Sequence, residues 1–297
     1  MKLRVRRPKM MGRFLVLITA FVVTLGGATF AGVHIINAVE RQTVTTTTYS
    51  MKVGSVTRQY EVIKSSALSD STPIIVSLGG AAVDPVQQIP RDRLVPYAAA
   101  NKVELVYPVP IDESWNAIGC CDGAAKANVN DVGFIKALVA NIDPGHARPI
   151  YVVGYSNGGR LAYRMACTDP TLFDGVAAVK ADPMPGCVVS KPTNVIMFSS
   201  LNDKYVPFKP GEKGYETPPA TVQIARLETD LKCSDKKVVT LGQMTVSTWS
   251  CAGGKRLEWA YDKTGGHGFP IPIGNTPGGN QLIWSFMTNT ALAPVPS

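Results

Sequence analysis

Histidine is scarce in this chain, which has 297 residues and only three histidines, His34, His146 and His267. None of the three stands beside a cysteine at the spacing of a zinc ligand set, and no Cys-x-x-Cys pair is present. The sequence therefore predicts no metal site, and we expect no cofactor. The same scarcity narrows the choice of a general base.

The chain also has little net charge outside its first residues. Charged residues make up 18% of it and hydrophobic residues 45%, which is typical of a globular protein rather than a disordered one. The net charge of +8 would suggest a nucleic-acid partner. However, the first 13 residues hold six basic side chains and no acidic one, which leaves a net charge of +2 for the rest. We therefore expect no nucleic-acid partner.

A long apolar run, residues 14–36, follows this basic start. A basic segment before an apolar one is typical of an export signal, and the run is also long enough to span a bilayer. Residues 1–36 are thus predicted to be a signal peptide or an N-terminal membrane anchor, and both forms stay open. The positive flank stays in the cytoplasm, so the rest of the protein is predicted to be secreted or held in the cell envelope. The run has no cysteine near its end, so the sequence does not support a lipoprotein anchor.

Residues 37–50 are rich in threonine and are read either as a polar spacer or as an irregular edge strand. Residues 51–297 contain no internal linker or repeat and are predicted to form one domain. Apolar β-branched runs alternate there with segments of helical periodicity, which predicts an α/β fold with a mostly parallel central sheet and helices on both faces. The predicted strands are 56–63, 74–78, 103–108, 150–153, 173–179, 194–198, 246–249 and 256–261, and the predicted helices are 94–100, 129–142, 160–167, 221–231 and 281–289.

One stretch combines a strand, a sharp turn and a helix. The apolar residues 150–153 lead into Gly-Tyr-Ser-Asn-Gly, and residues 160–167 follow with apolar positions at helical spacing. Such a turn presents a nucleophile at the start of the helix, and Gly154 and Gly158 fit it because neither has a Cβ. The motif alone also occurs in ordinary glycine-rich loops. In this context it predicts a nucleophile elbow with Ser156 as the nucleophile.

A serine hydroxyl needs a general base, which in proteins is most often a histidine. His34 lies in the apolar N-terminal run, and His146 lies in a turn before the strand of the elbow, at the opposite end of the predicted sheet. His267 lies in a glycine-rich loop after the last strand, at the end where such sheets bind ligands. A single loop histidine is often plain surface, but His267 is the predicted base.

The acid of such a triad falls between the serine and the histidine in the chain. Asp203 follows a predicted buried strand directly, where the third member belongs, although an aspartate there is also a common turn residue. Asp182 and Asp230 are weaker candidates.

An oxyanion hole needs two N–H donors. Asn157, next to the nucleophile, would supply one of them. The loop after Leu78 would supply the other, from Gly80 or Ala81.

The six cysteines favour disulfides, because an exported protein meets an oxidising compartment. Six buried free thiols are the alternative. Cys233 and Cys251 are a natural local pair, whereas a bridge between the neighbours Cys120 and Cys121 would be strained, so each of these two is expected to bond elsewhere. The disulfide candidates are Cys120, Cys121, Cys167, Cys187, Cys233 and Cys251.

Several motifs between about residue 55 and residue 290 resemble the secreted polyhydroxybutyrate depolymerase and feruloyl esterase group of α/β-hydrolases. The Trp-Asn element that ends in Cys-Cys is far more specific to that group than the elbow alone. The matching motifs are Ser-Trp-Asn-Ala-Ile-Gly-Cys-Cys at 114–121, Asp-Val-Gly-Phe-Ile at 131–135, Gly-Tyr-Ser-Asn-Gly-Gly at 154–159, Ala-Cys at 166–167, Asn-Asp-Lys-Tyr-Val-Pro at 202–207, Trp-Ser-Cys at 249–251, Leu-Glu-Trp at 257–259 and Gly-Gly-His at 265–267.

The resemblance implies an α/β-hydrolase fold, disulfides and a carboxylic ester hydrolase with Ser156, Asp203 and His267 as its triad. Its substrate would be a small or polymeric ester. The chain departs from the group at residues 78–80, where Leu-Gly-Gly replaces Leu-His-Gly, and after the histidine, where the group often has tryptophan and this chain has Phe269. Both departures lie where acyl groups would bind. Trp115, Tyr205 and Phe269 are the candidate substrate-binding aromatics, with a place in the core as the alternative.

Two other functions stay open at this point. The same triad would serve an amidase or peptidase, and an α/β-hydrolase fold would also suit a catalytically silent binding protein of the cell envelope.

Overall fold

A central sheet runs through the protein and places the ends of its parallel strands at one edge. The computed structural model describes residues 44–65, 71–101, 103–118, 121, 123–183, 186–214 and 217–292. Within these ranges the sheet has ten strands in the order β1-β2-β4-β3-β5-β6-β7-β10-β9-β8. The strands are β1 (Val44–Val53), β2 (Val56–Ser65), β3 (Ile74–Leu78), β4 (Glu104–Pro108), β5 (Ile150–Tyr155), β6 (Gly175–Val179), β7 (Asn194–Ser200), β8 (Ser234–Leu241), β9 (Met244–Cys251) and β10 (Lys255–Asp262).

The middle of the sheet is parallel and its two sides are antiparallel. Strands β4, β3, β5, β6, β7 and β10 pair in parallel in that spatial order. The hairpin β1–β2 and the strands β9 and β8 extend the sheet on either side by antiparallel pairing. Parallel pairing sends the carboxyl ends of the middle strands to one edge, and β5, β7 and β10 are followed there by the segments that carry the candidate site.

Helices cover both faces of the sheet, as predicted. One apolar cluster contains alternate strand residues such as Val152 together with α4, α5 and α6, and the other contains the residues between them, such as Val153, together with α2 and α7. This alternation follows from the period of two along a strand. The helices are α1 (Pro85–Asp92), α2 (Val95–Asn101), α3 (Gly123–Lys126), α4 (Asp131–Ile142), α5 (Asn157–Thr168), α6 (Ala220–Asp230) and α7 (Gly279–Thr288).

Part of the threonine-rich segment before residue 51 forms an edge strand of the sheet. Residues 44–50, read as a spacer or an edge strand, belong to β1, which pairs with β2 along its whole length. The predicted anchor, residues 14–36, and His34 lie outside the described residues. Within the described ranges no helix has the length and apolar character that crossing a bilayer requires.

Candidate active site

The elbow has the predicted strand–turn–helix geometry, with Ser156 between β5 and α5. Ser156 has φ 51° and ψ −117°, a strained conformation for a residue with a side chain. Its N–H donates to the carbonyl of Val179 at 2.8 Å, which ties the turn to β6. A Cβ on Gly154 would lie 2.5 Å from the carbonyl carbon of Gly158, so the turn closes only with glycine at Gly154. The sequence signal was reliable here because sterics permit few alternatives.

Ser156, His267 and Asp203 form a continuous chain of hydrogen-bonding atoms. The Nε2 of His267 lies 2.8 Å from the Oγ of Ser156, and its Nδ1 lies 2.9 Å and 3.0 Å from the two carboxylate oxygens of Asp203. A carboxylate accepts only, so it selects the tautomer with the proton on Nδ1 and leaves Nε2 free to accept from the serine hydroxyl. The three residues come from the ends of β5, β7 and β10.

The environment of Asp203 keeps it ionised. Burial of its side chain, which is 1% exposed, acts to raise its pKa. The hydrogen bond and charge of His267 and the N–H groups of Val206 and Tyr205 act against burial, and the net effect lowers the pKa of Asp203. Those two N–H groups lie 3.0 Å and 2.9 Å from the Oδ1 of Asp203. A charged acceptor behind the imidazole is what a general base needs when it becomes protonated.

Two tyrosines contact His267. The hydroxyl of Tyr155 donates to the carbonyl of His267 at 2.9 Å, which joins the residue before Ser156 to the candidate base. The ring of Tyr205 lies 4.8 Å from the imidazole between centroids, and Tyr205 is 47% exposed. Sequence reasoning missed the link through Tyr155, since nothing in the motif specifies where its hydroxyl points.

The weaker candidates for base and acid have other contacts. The Nε2 of His146 lies 3.4 Å from Asp174, just before β6, at the opposite edge of the sheet from Ser156. Asp182 is buried and pairs with Arg160 at 2.8 Å, and Asp230 ends α6 and pairs with Arg226 at 3.8 Å. Among these aspartates only Asp203 has a hydrogen bond to His267 in the described part of the chain.

The candidate oxyanion donors adjoin Ser156 from two elements. Asn157 is the first residue of α5 and follows Ser156 directly, where helix N–H groups and the helix dipole favour negative charge. Gly80 lies against the elbow, because a Cβ there would be 3.0 Å from the Tyr155 ring and 3.3 Å from the Cβ of Ser156. Ala81 is exposed at the next position.

The structure corrects the assignment of Trp115 as a substrate contact. Its side chain is fully buried, and its indole N–H donates to the carbonyl of Gly79 at 3.0 Å. Of the other two candidates, Phe269 is 7% exposed and Tyr205 is open to solvent beside His267. Phe269 lines a cavity of about 200 Å³ beside the loop that carries His267. A single sequence does not distinguish a buried aromatic from an exposed one near a site, so the error has a general cause.

Four cysteines form two disulfides, Cys167–Cys187 and Cys233–Cys251. The second is the local pair that the spacing predicted, and the first joins the end of α5 to the loop after β6. Cys121 is also disulfide-bonded, and Cys120 lies outside the described residues. The expectation that Cys120 and Cys121 each bond a distant cysteine stays a prediction, because Cys120 lies outside the described residues.

Part of the chain is similar in sequence to a protein named as an esterase. No protein-family model matches the chain. It is 32% identical over 195 residues to a protein of Nocardia uniformis subsp. tsuyamanensis named "Putative esterase NocK", a match that covers 61% of this chain and 55% of that protein. The chain thus spans about half the length of this relative.

Two solved structures are similar in fold. An acetyl xylan esterase from Aspergillus awamori has a TM-score of 0.57 at 10% identity, covering 82% of this chain and 99% of that one. A Klebsiella pneumoniae protein named "Putative Dienelactone Hydrolase" has a TM-score of 0.51 at 12% identity, covering 83% and 99%. The chain therefore has the α/β-hydrolase fold, and the predicted fold class is confirmed.

Proposed function

We propose that this protein is a serine carboxylic-ester hydrolase with Ser156 as nucleophile, His267 as general base and Asp203 as the acid that orients it. The single observation that carries the proposal is the chain of contacts from Ser156 to Asp203, 2.8 Å and 2.9 Å long on the two sides of one imidazole. The sequence similarity to a protein named as an esterase supports the same class of reaction.

The proposed reaction has two stages. In the first, His267 accepts the hydroxyl proton as Ser156 attacks the ester carbonyl, and the N–H groups of Asn157 and of Gly80 or Ala81 stabilise the oxyanion. His267 then gives the proton to the departing alcohol, which leaves an acyl group on Ser156. In the second stage water attacks this acyl group with His267 again as base, and the acid is released. Asp203 stabilises the imidazolium in both stages.

The substrate class is proposed from the resemblance to polyhydroxybutyrate depolymerases and feruloyl esterases, and the location is proposed from the export signal predicted at residues 1–36. We expect a small or polymeric ester of the kind cleaved by polyhydroxybutyrate depolymerases and feruloyl esterases. Export is supported by the two disulfides, which persist in oxidising compartments. Tyr205, exposed beside His267, is the side chain best placed to contact a bound ester.

The test is hydrolysis of p-nitrophenyl esters from acetate to long acyl chains, and of a hydroxycinnamate ester, by the full chain and by Ser156→Ala. Turnover that disappears in Ser156→Ala supports the proposal. A matched pair of ester and amide with one acyl group separates an esterase from an amidase or peptidase. A folded, oxidised protein that turns over no ester and does not react with a serine-directed phosphonate would refute the proposal and favour a silent binding protein.

A further inference from the structure

The buried indole of Trp115 is bonded to the loop that carries one candidate oxyanion donor. Its Nε1–H donates to the carbonyl of Gly79 at 3.0 Å. In a trans peptide the carbonyl of one residue and the N–H of the next point in opposite directions within one plane. Fixing the Gly79 carbonyl therefore also fixes the direction of the Gly80 N–H, which faces away from the indole.

The backbone of Trp115 is bonded to the residue that carries the other donor. Its N–H donates to the Oδ1 of Asn157 at 2.7 Å, and its carbonyl accepts from the Nδ2 of Asn157 at 3.1 Å. The side-chain amide of Asn157 is thus held by two bonds to one residue. Trp115 contacts both elements that would form the oxyanion hole, the loop after β3 and the start of α5.

The segment around Trp115 is anchored on both sides. Before it, the carbonyl of Glu113 accepts from the N–H of Ala82 at 2.7 Å, which adds a second bond to the same loop. After it, the N–H of Asn116 donates to the buried carboxylate of Asp131 at 2.7 Å, and Asp131 pairs with Arg58 at 2.8 Å. Because the backbone on both sides of Trp115 is held, its indole N–H has a fixed position relative to the loop after β3.

The loop after β3 lies close to backbone atoms at the glycines of the site. A Cβ on Gly79 would lie 2.6 Å from the carbonyl oxygen of Val83, and one on Gly158 would lie 2.7 Å from the carbonyl carbon of Leu78. The loop after β3 therefore packs backbone against backbone on α5. In such a contact, the hydrogen bond from Trp115 selects the orientation of the peptide plane.

We propose that Trp115 is a positioning residue that sets the oxyanion hole by fixing the Gly79–Gly80 peptide, with Gly80 as the donor in preference to Ala81. The inference rests on the proposed ester hydrolysis, since an oxyanion forms only there. Trp115 touches no substrate in this role.

The experiment removes the indole N–H in two ways. Trp115→Phe removes the donor together with part of the buried ring, whereas 3-benzothienylalanine at position 115 replaces only the N–H by sulfur and keeps the volume of the side chain. The matched control is Trp259→Phe, because Trp259 is also buried and donates its indole N–H to the Oγ of Ser199 at 3.1 Å, away from the elbow. All are compared with the wild-type full chain on one p-nitrophenyl ester.

Loss of a whole oxyanion donor costs about 10²–10³ in kcat, so a misdirected donor is expected to cost about 10- to 100-fold. KM should change little, and the inhibition constant of a trifluoromethyl ketone, which forms an oxyanion on the enzyme, should rise in parallel with the loss of kcat. Trp259→Phe should lower the unfolding midpoint but keep kcat within about 2-fold.

The inference is overturned if both position-115 variants fold and keep kcat and ketone inhibition within the range of Trp259→Phe. If the wild type turns over no ester and binds no ketone, the proposed function fails and this role falls with it. The two failures are distinguished by the wild-type measurement alone.

Discussion

Lys180 and Asp262 form a buried ion pair beneath the loop that carries His267. Their Nζ and Oδ2 atoms lie 2.5 Å apart, and the side chain of Lys180 is 0% exposed. The other oxygen of Asp262 accepts from the N–H of Gly265 at 2.6 Å and from the Oγ of Ser200 at 2.8 Å. One carboxylate thus joins the ends of β6, β7 and β10. Asp203 lies just after β7, and His267 lies just after β10.

Removing the cation should cost far more stability than removing both charges. Burial lowers the pKa of Lys180, while the charge of Asp262 and its hydrogen bond act to raise it, so the charge of Lys180 depends on Asp262. Lys180→Met leaves a buried carboxylate unpaired, and we expect a loss of about 3–5 kcal/mol in the free energy of unfolding, measured by urea denaturation. The double variant Lys180→Met with Asp262→Asn should recover at least half of it. Equal losses in the two variants would show that the pair is not coupled.

The carboxylate of Asp203 should matter for rate rather than for folding. Asp203→Asn can still accept from the N–H groups of Tyr205 and Val206 through its remaining oxygen, so the turn should survive. Its amide would no longer select the Nδ1–H tautomer of His267, and the equivalent change in a well-studied triad lowers kcat by about 10⁴. The expected result is a similar loss of ester turnover with an unfolding midpoint near that of the wild type. Turnover within about 10-fold of the wild type would reopen the choice of Asp182.

The elbow and the hydrogen-bonded chain from Ser156 through His267 to Asp203 were predictable because sterics and elimination leave few choices. Gly154 and Gly158 are required by close backbone contacts, and His267 was selected among three histidines. Lys180 was missed because it follows an apolar run with no pattern that marks a buried cation, and its partner lies 82 positions later in the chain.

Helices α1 and α3 and strand β8 were not predicted, and α1 and β8 were missed for different physical reasons. Helix α1 begins at Pro85 and contains Pro90, a residue that usually ends a helix, but it is started by a capping box between Asp84 and Gln87. Strand β8 is exposed along nearly its whole length, so it carries no alternation of apolar and polar residues. Its antiparallel pairing with β9 holds it in the sheet, although its sequence carries no strand pattern.

A methyl group at Gly154 should abolish the elbow, whereas one at Gly268 should be tolerated. The added Cβ at Gly154 would lie 2.5 Å from the carbonyl carbon of Gly158 and 2.6 Å from the Cα of Gly159, all backbone atoms that cannot rotate away. At Gly268 nothing lies within 4 Å of the same position. We expect Gly154→Ala to lose ester turnover and at least about 2 kcal/mol of stability, and Gly268→Ala to unfold within about 0.5 kcal/mol of the wild type. Thermal and urea unfolding of the two variants, measured side by side, check this, and a stable Gly154→Ala would contradict the packing of the turn.

Asp92 is a fully buried carboxyl whose hydrogen-bond partners are neutral. Its oxygens accept from the Oγ of Ser77 at 2.7 Å, the N–H of Leu94 at 3.1 Å and the hydroxyl of Tyr107 at 3.2 Å. Burial raises the pKa of Asp92 from 3.8 to about 7, against these hydrogen bonds. Tyr107, the titratable group that faces it, has its own pKa raised by burial and by the charge of Asp92, so it stays protonated.

The protein should therefore lose stability as the pH rises through about 7. The folded state binds the proton of Asp92 more tightly than the unfolded state does, so the contribution is fully present below the unfolded pKa near 4 and is lost as the pH rises through the folded value. Between pH 5 and pH 8 the free energy of unfolding of the wild type should fall by about 2–3 kcal/mol relative to that of Asp92→Asn. Urea denaturation of both proteins at the two pH values measures the difference, with Asp235→Asn, a change at an exposed carboxyl on β8, as the control. If the difference between the wild type and Asp92→Asn is the same at both pH values, Asp92 is ionised throughout and the buried site is more polar than its contacts indicate.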